Sequence, residues 1–138
     1  MGVEIDLVYQ GDLLCSAKHG PSGDTLNTDA PVDNGGKGSA FSPTDLVATA
    51  LGACLMTIMG IVAKRSGWNI DGMTCHVVKE MVADPVRRIG KLTAKITLPA
   101  GCNLDDSARR KLEAAAHTCP VKQSLHPEVA MEFEFIYP

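Results

Sequence analysis

SPTDLVATALGACLMTIMGIVAKRSG, residues 42–67, carries no charge from Leu46 to Ala63, and that run organises the reading of the rest of the chain. Ser42 supplies a helix N-cap, and Pro43 suits the first helical position, where its missing N–H removes nothing the helix would use. Lys64 and Arg65 complement the dipole at the far end, and Gly67 is placed to close the last turn. The segment predicts one long central helix. Its uncharged run is just long enough to raise a membrane span. Gly52, Gly60, Thr49 and Thr57 dilute it, however, and the flanking segments read as amphipathic soluble structure, so no membrane partner is expected. A helix that is apolar all round needs cover on every side. A domain this small can hardly provide it alone, which predicts an obligate homodimer burying this helix.

Upstream, Val3, Ile5, Leu7 and Tyr9 alternate with mostly polar residues and predict a half-buried strand. Gln10-Gly11-Asp12 reads as a turn, Leu13, Cys15 and Ala17 as a second strand, and TLNTD (25–29) as a short third one after the HGPSGD turn. APVDNGGKGSAF (30–41) is a loop delivering the chain to Ser42. Downstream, Met73, Cys75 and Val77 share one strand face. Leu92, Ala94, Ile96 and Leu98 give the cleanest alternation in the chain, with ADPVRRIG (83–90) as the hairpin connection between them. Leu104 to His117 reads as a second amphipathic helix, acidic at its start (Asp105, Asp106), with Ala108, Leu112, Ala115 and Ala116 on one stripe. Pro120 follows its end, and Val129, Met131, Phe133 and Phe135 alternate as a last strand. The order defines an α+β fold in a single domain spanning residues 1–138.

Composition narrows the function classes. A net charge of -3 and a pI of about 5.7 leave no basic footprint, so no nucleic-acid partner is expected. No basic, apolar leader pattern precedes the first strand. Five cysteines, an odd count without a CxxC pair, fit a reducing cytoplasm better than a disulfide framework. No GxGxxG, P-loop, GxSxG or HExxH pattern is present, and no cofactor is expected.

Two cysteines stand in unlike settings. Cys54 lies inside the apolar helix, where a free cysteine ordinarily acts as a small hydrophobe and where burial raises its pKa. A reactive Cys54 therefore needs a cation or hydrogen-bond donor from elsewhere in the fold. Cys119, in HTCPVKQSL (117–125), precedes a proline and would sit at a helix N-terminus, where free N–H groups favour thiolate, so electrostatics alone make it the more acidic thiol. Cys15 and Cys75 read as core residues and Cys102 as an exposed, incidental one. His117, Cys119 and His126 lack the paired spacing of a zinc site. Asp45 fits a capping role. Nine residues before Cys54 and about half a turn out of phase, it lies roughly 13 Å along the helix and cannot reach the thiol within one chain.

The motifs SPTDLVATALGAC (42–54) and AAAHTCPVKQSL (114–125) resemble the two cysteine motifs of the OsmC/Ohr family of thiol-dependent hydroperoxide reductases. HGPSG (19–23) with DNGGKGSAFSP (33–43) is similar to its OsmC-like branch. The resemblance covers essentially the whole chain. It implies an antiparallel sheet wrapped around two central helices in an intertwined homodimer, with the active sites at the subunit interface. It further implies Cys54 as peroxidatic thiol, Cys119 as its resolving partner in a disulfide, an organic hydroperoxide as substrate and a dithiol, lipoyl-linked in better-known members, as reductant. Ohr-type members carry a Glu directly after the proline, where this chain has Thr44 and then Asp45. Their early-strand Arg, which steadies the thiolate, falls near Leu14 here. Lys18, Arg87 and Arg88 are the available replacements, with Lys18 and Arg88 favoured because each lies near a turn. Two other readings of the residues stand beside this one: a thiol or persulfide carrier using an exposed, acidic Cys119, and a dimeric protein holding a lipophilic ligand without turnover.

Overall fold

The computed structural model describes residues 2–138 and divides into two compact units, one up to Val47 and the other from Ala48 to Pro138. The first unit is an antiparallel meander of β1 (Ile5–Gly11), β2 (Leu14–His19) and β3 (Thr25–Asp29), followed by a short 3-10 turn at Val32–Asn34. The hairpin from β1 to β2 turns on Asp12 and Leu13, both at positive φ (56° and 64°), one residue later than the expected Gln10-Gly11-Asp12. Two consecutive left-handed residues match the right-handed twist of the strands, and a bulge between Tyr9 and Gly11 absorbs the extra residue. The expected half-buried first strand is not half-buried. Val3, just before the strand, and Ile5, Leu7, Val8 and Tyr9 on β1 are all exposed.

Asp29 organises the loop that follows β3. It is only 1 % exposed, and its Oδ2 accepts from the Ser39 hydroxyl (2.7 Å) and the Ser39 N–H (3.0 Å). Those two donors hold its carboxyl below the usual carboxylate value despite burial. A depressed folded-state pKa means a contribution to stability that is present above the unfolded value, about 3.9, and is lost as pH falls through the lower folded value. Urea unfolding of wild type and Asp29→Asn should therefore show a stability gap at neutral pH that closes as pH drops below about 4. A gap that stays constant into acid would mean that the carboxylate's charge contributes nothing.

The long helix predicted over this stretch is present as α1 (Pro43–Ser66). Asp45 Oδ2 accepts from the Ser42 N–H (2.9 Å), and Ser42 Oγ accepts from the Asp45 N–H (3.1 Å), a reciprocal capping box. Gly67, at φ 75°, ends the helix in the expected left-handed conformation. By length and composition α1 could cross a membrane. Ala48, Leu51, Gly52, Leu55, Met59 and Ala63 nonetheless form one face buried within the chain, while Thr49, Ala50, Ala53, Thr57 and Ile61 face outward.

The second unit packs that buried face on a sheet ordered β4 (Thr74–Val82), β5 (Arg88–Thr97) and β6 (Ala130–Ile136). Leu92, Ala94, Ile96 and Leu98 are all at most 1 % exposed, as their alternation predicts for the central strand. Gly52 is what lets helix and sheet meet. A Cβ there would stand 2.9 Å from Val77 Cγ2 and 3.3 Å from Cys75 Sγ, too close for any other residue without a shift. The sheet is mixed rather than antiparallel: β4 and β5 pair antiparallel, but β5 and β6 pair parallel. The reason is the connection. Helices α2 (Asp106–Ala116) and α3 (Pro120–Ser124) form a crossover that returns the chain to the same end of the sheet. The second helix is shorter than the expected Leu104–His117. Asp105 caps it, accepting from the Ala108 N–H at 2.8 Å, and Ala108, Leu112 and Ala116 are its buried stripe.

Candidate functional site

Cys54 is carried on α1, on a flank of the buried face, and is partly exposed. Cys119 comes from the link between α2 and α3 and is 0 % exposed. Their sequence separation is large, yet Cys54 is near enough to Cys119 to act on its acidity, and both thiols are free. The local sequence explains how Cys119 is presented. Pro120 cannot continue the hydrogen bonding of α2 but fits the first position of α3, so Cys119 becomes the N-cap of that turn. Its sulfur then accepts from the Lys122 N–H at 3.5 Å.

The N-cap position predicted from Cys-Pro is therefore present, but the acidity inferred from it is not. Burial pushes the Cys119 thiol's pKa up, and contact with Cys54 adds to that rise. The N–H groups of Lys122 and Val121 pull it down by less. One turn of helix offers few free N–H groups, and complete loss of water outweighs them. Cys119 is thus buried with its pKa raised, where the sequence reading expected an exposed, acidic thiol.

The other expected site residues have local neighbours of their own. Asp45 is engaged in its helix cap, nine residues before Cys54. Lys18 lies on β2, opposite Asp6 and Thr25. Arg88 opens β5 opposite Val82. Its guanidinium pairs with Glu128 (3.7 Å) and donates to the Ile89 carbonyl (3.4 Å). The sheet register sets Arg88 five residues along from the point where Val77 meets α1, roughly 17 Å of extended strand. Cys75 packs against Gly52, and burial raises its pKa, consistent with a core residue. Cys102 is less incidental than expected. It is half-buried against the core and, with Asn69, Asp71, Pro99, Ala100 and Gly101, lines a cleft of about 210 Å³. Near it Tyr137 donates to Glu113 Oε2 at 2.9 Å, and Arg109 stacks on the Tyr137 ring at 4.4 Å. Burial and the Glu113 carboxylate drive the phenol's pKa well up. Among the described residues no group of three His, Cys, Asp or Glu side chains is placed to hold a metal ion.

Sequence reasoning missed Lys122. A signal was available: with Cys119 as N-cap and Pro120 at N1, Lys122 is N3, whose N–H is the one a capping side chain engages. His117 occupies the C-cap position of α2, its backbone N–H donating to the Glu113 carbonyl, and also joins Lys122. The imidazole Nδ1 is 3.1 Å from Lys122 Nζ, and its ring lies 5.1 Å from that of Phe133.

Fold and site together define an α+β protein with one cysteine on a long helix and a second, buried one capping a turn in the crossover. The chain belongs to the OsmC-like protein family, whose profile matches residues 36–134. Among solved structures it is similar to a Psychrobacter arcticus protein provisionally named an osmotic stress induced and detoxification response protein. The two are 45 % identical with a TM-score of 0.89, over 95 % of this chain and 93 % of the other. The fold is also that of an organic hydroperoxide resistance protein OsmC from Legionella pneumophila (17 % identity, TM-score 0.78, 99 % and 97 % covered). The OhrB organic hydroperoxide resistance protein of Bacillus subtilis shares it too (19 % identity, TM-score 0.69, 98 % of each chain).

Proposed function

We propose that this protein is a two-cysteine hydroperoxide reductase that prefers organic hydroperoxides. The observation that carries the reading is that the buried Cys119 has the partly exposed Cys54 as a neighbour near enough to act on its acidity. Cys54 is the sulfur a substrate can reach, in surroundings apolar enough to suit an alkyl group. Its thiolate attacks the terminal peroxide oxygen: Cys54–SH and ROOH give Cys54–SOH and ROH. Cys119 displaces that hydroxyl, forming the disulfide and releasing water, and a dithiol reductant returns both thiols while closing its own disulfide. Family membership and the names of similar structures, two of which refer to organic hydroperoxide resistance, support this reading.

The working unit in this proposal is a homodimer in a reducing cytoplasm. The outward face of α1 (Thr49, Ala50, Ala53, Thr57, Ile61) is free of charge, and β1 exposes four large apolar side chains, Ile5, Leu7, Val8 and Tyr9. A second copy would cover such surface. It could also bring Lys18 or Arg88 toward Cys54 as the cation that favours thiolate, and Asp45 as the carboxylate that orients it.

One equivalent of cumene hydroperoxide added to the reduced protein, with hydrogen peroxide in parallel, tests the chemistry. Non-reducing intact mass should show loss of two hydrogens, peptide mapping a Cys54–Cys119 crosslink, and the organic peroxide should react faster. Unchanged thiols would overturn the proposal and favour a lipophilic-ligand binding role.

A further inference from the structure

The segment from Ala115 to Gln123 is tied to itself more tightly than a simple crossover link requires. Thr118 Oγ1 donates to the Ala115 carbonyl (2.7 Å), and the Cys119 N–H donates to the Ala116 carbonyl (3.2 Å). Gln123 Nε2 donates to the His117 carbonyl (3.1 Å). Lys122 lies at the centre of this arrangement. Its backbone N–H is on Cys119 Sγ, its Nζ is 3.1 Å from His117 Nδ1, and the same ammonium sits 5.7 Å from the centre of the Phe133 ring. One side chain thus connects the end of α2, the first turn of α3 and the face of β6.

Cys119 is completely buried, so its chemistry depends on how steadily its sulfur is held toward Cys54. In an intramolecular reaction that steadiness sets the effective concentration of the attacking group, and small displacements reduce it severely. We propose that Lys122 is a positioning residue for Cys119. By bridging His117 and Phe133 it fixes the short α3 turn, keeps the Cys119 sulfur directed at Cys54, and so sets how readily the disulfide closes. This rests on the reading that Cys54 and Cys119 form a disulfide, but it is independent of the oxidant.

The test uses a glutathione redox buffer, in which the two protein thiols and one oxidised glutathione give the protein disulfide and two reduced glutathiones. Wild type, Lys122→Met, Lys122→Arg and Gln123→Ala are equilibrated, quenched with an alkylating agent and scored by intact mass. The effective concentration of Cys119 toward Cys54 should fall about tenfold in Lys122→Met and by less in Gln123→Ala, and should stay near wild type in Lys122→Arg, which keeps the cation. The alkylation rate of Cys54 should be the same in all four. A purely structural role for Lys122 would lower the denaturation midpoint without moving this thiol equilibrium, and that result overturns the inference. So does a wild-type protein that takes up glutathione on Cys54 without ever closing to Cys119. A wild type that closes in glutathione but ignores cumene hydroperoxide refutes the peroxidase proposal alone, and the variants still decide the role of Lys122.

Discussion

Cys54→Ser is expected to abolish thiol-dependent consumption of organic hydroperoxide, lowering the rate by at least about a thousandfold, or roughly 4 kcal/mol of activation free energy. A hydroxyl at this position is nearly isosteric but is not ionised near neutral pH. Its partner thiol, Cys119, is fully buried with its pKa raised by that burial, so it is not expected to take over as the thiol that meets peroxide. The paired measurement is Cys119→Ser. This variant should still consume one equivalent of peroxide, then accumulate sulfenic acid on Cys54, trapped by a sulfenate-specific reagent, and proceed to sulfinic acid under excess peroxide. Stopped-flow peroxide loss with intact mass separates the two variants. Full turnover in Cys54→Ser would move the chemistry to another residue.

Leu112→Ala should give the largest loss of stability of any single truncation in α2, about 3 kcal/mol by chemical denaturation at fixed protein concentration. The buried stripe of that helix is Ala108, Leu112 and Ala116, so Leu112 is its one large anchor, and it is 0 % exposed. Removing it leaves a cavity that two alanines cannot fill. The consequence reaches the candidate site, because α2 runs directly into His117 and Cys119: closure of the Cys54–Cys119 disulfide should slow even under conditions where the variant remains folded. A cost below about 1 kcal/mol would show that α2 is held by its caps rather than by packing.

Local patterning in this chain reports faithfully where one element satisfies its own backbone. The ends of α1 follow from Ser42, Pro43, Asp45 and Gly67, and the buried face of β5 follows from Leu92, Ala94 and Ile96, continued by Leu98 just past the strand. The Cys119 N-cap follows from the proline after it. Those devices act over three or four residues, so the amino-acid order contains all of their physics. Alternation in β1 also reads correctly as strand. It overstates burial, because alternation records a capacity to bury one face and does not supply the surface that buries it.

The α+β class, the order and type of the elements and the two cysteine motifs that mark the family were all legible in the amino-acid order. The parallel pairing of β6 with β5, the nearness of two thiols 65 positions apart and the burial that raises the Cys119 pKa came from the three-dimensional packing. Strand direction depends on which end of the sheet a crossover returns to, and thiol acidity depends on whether water reaches the sulfur. Both are set by atoms distant in the chain, which no local pattern encodes.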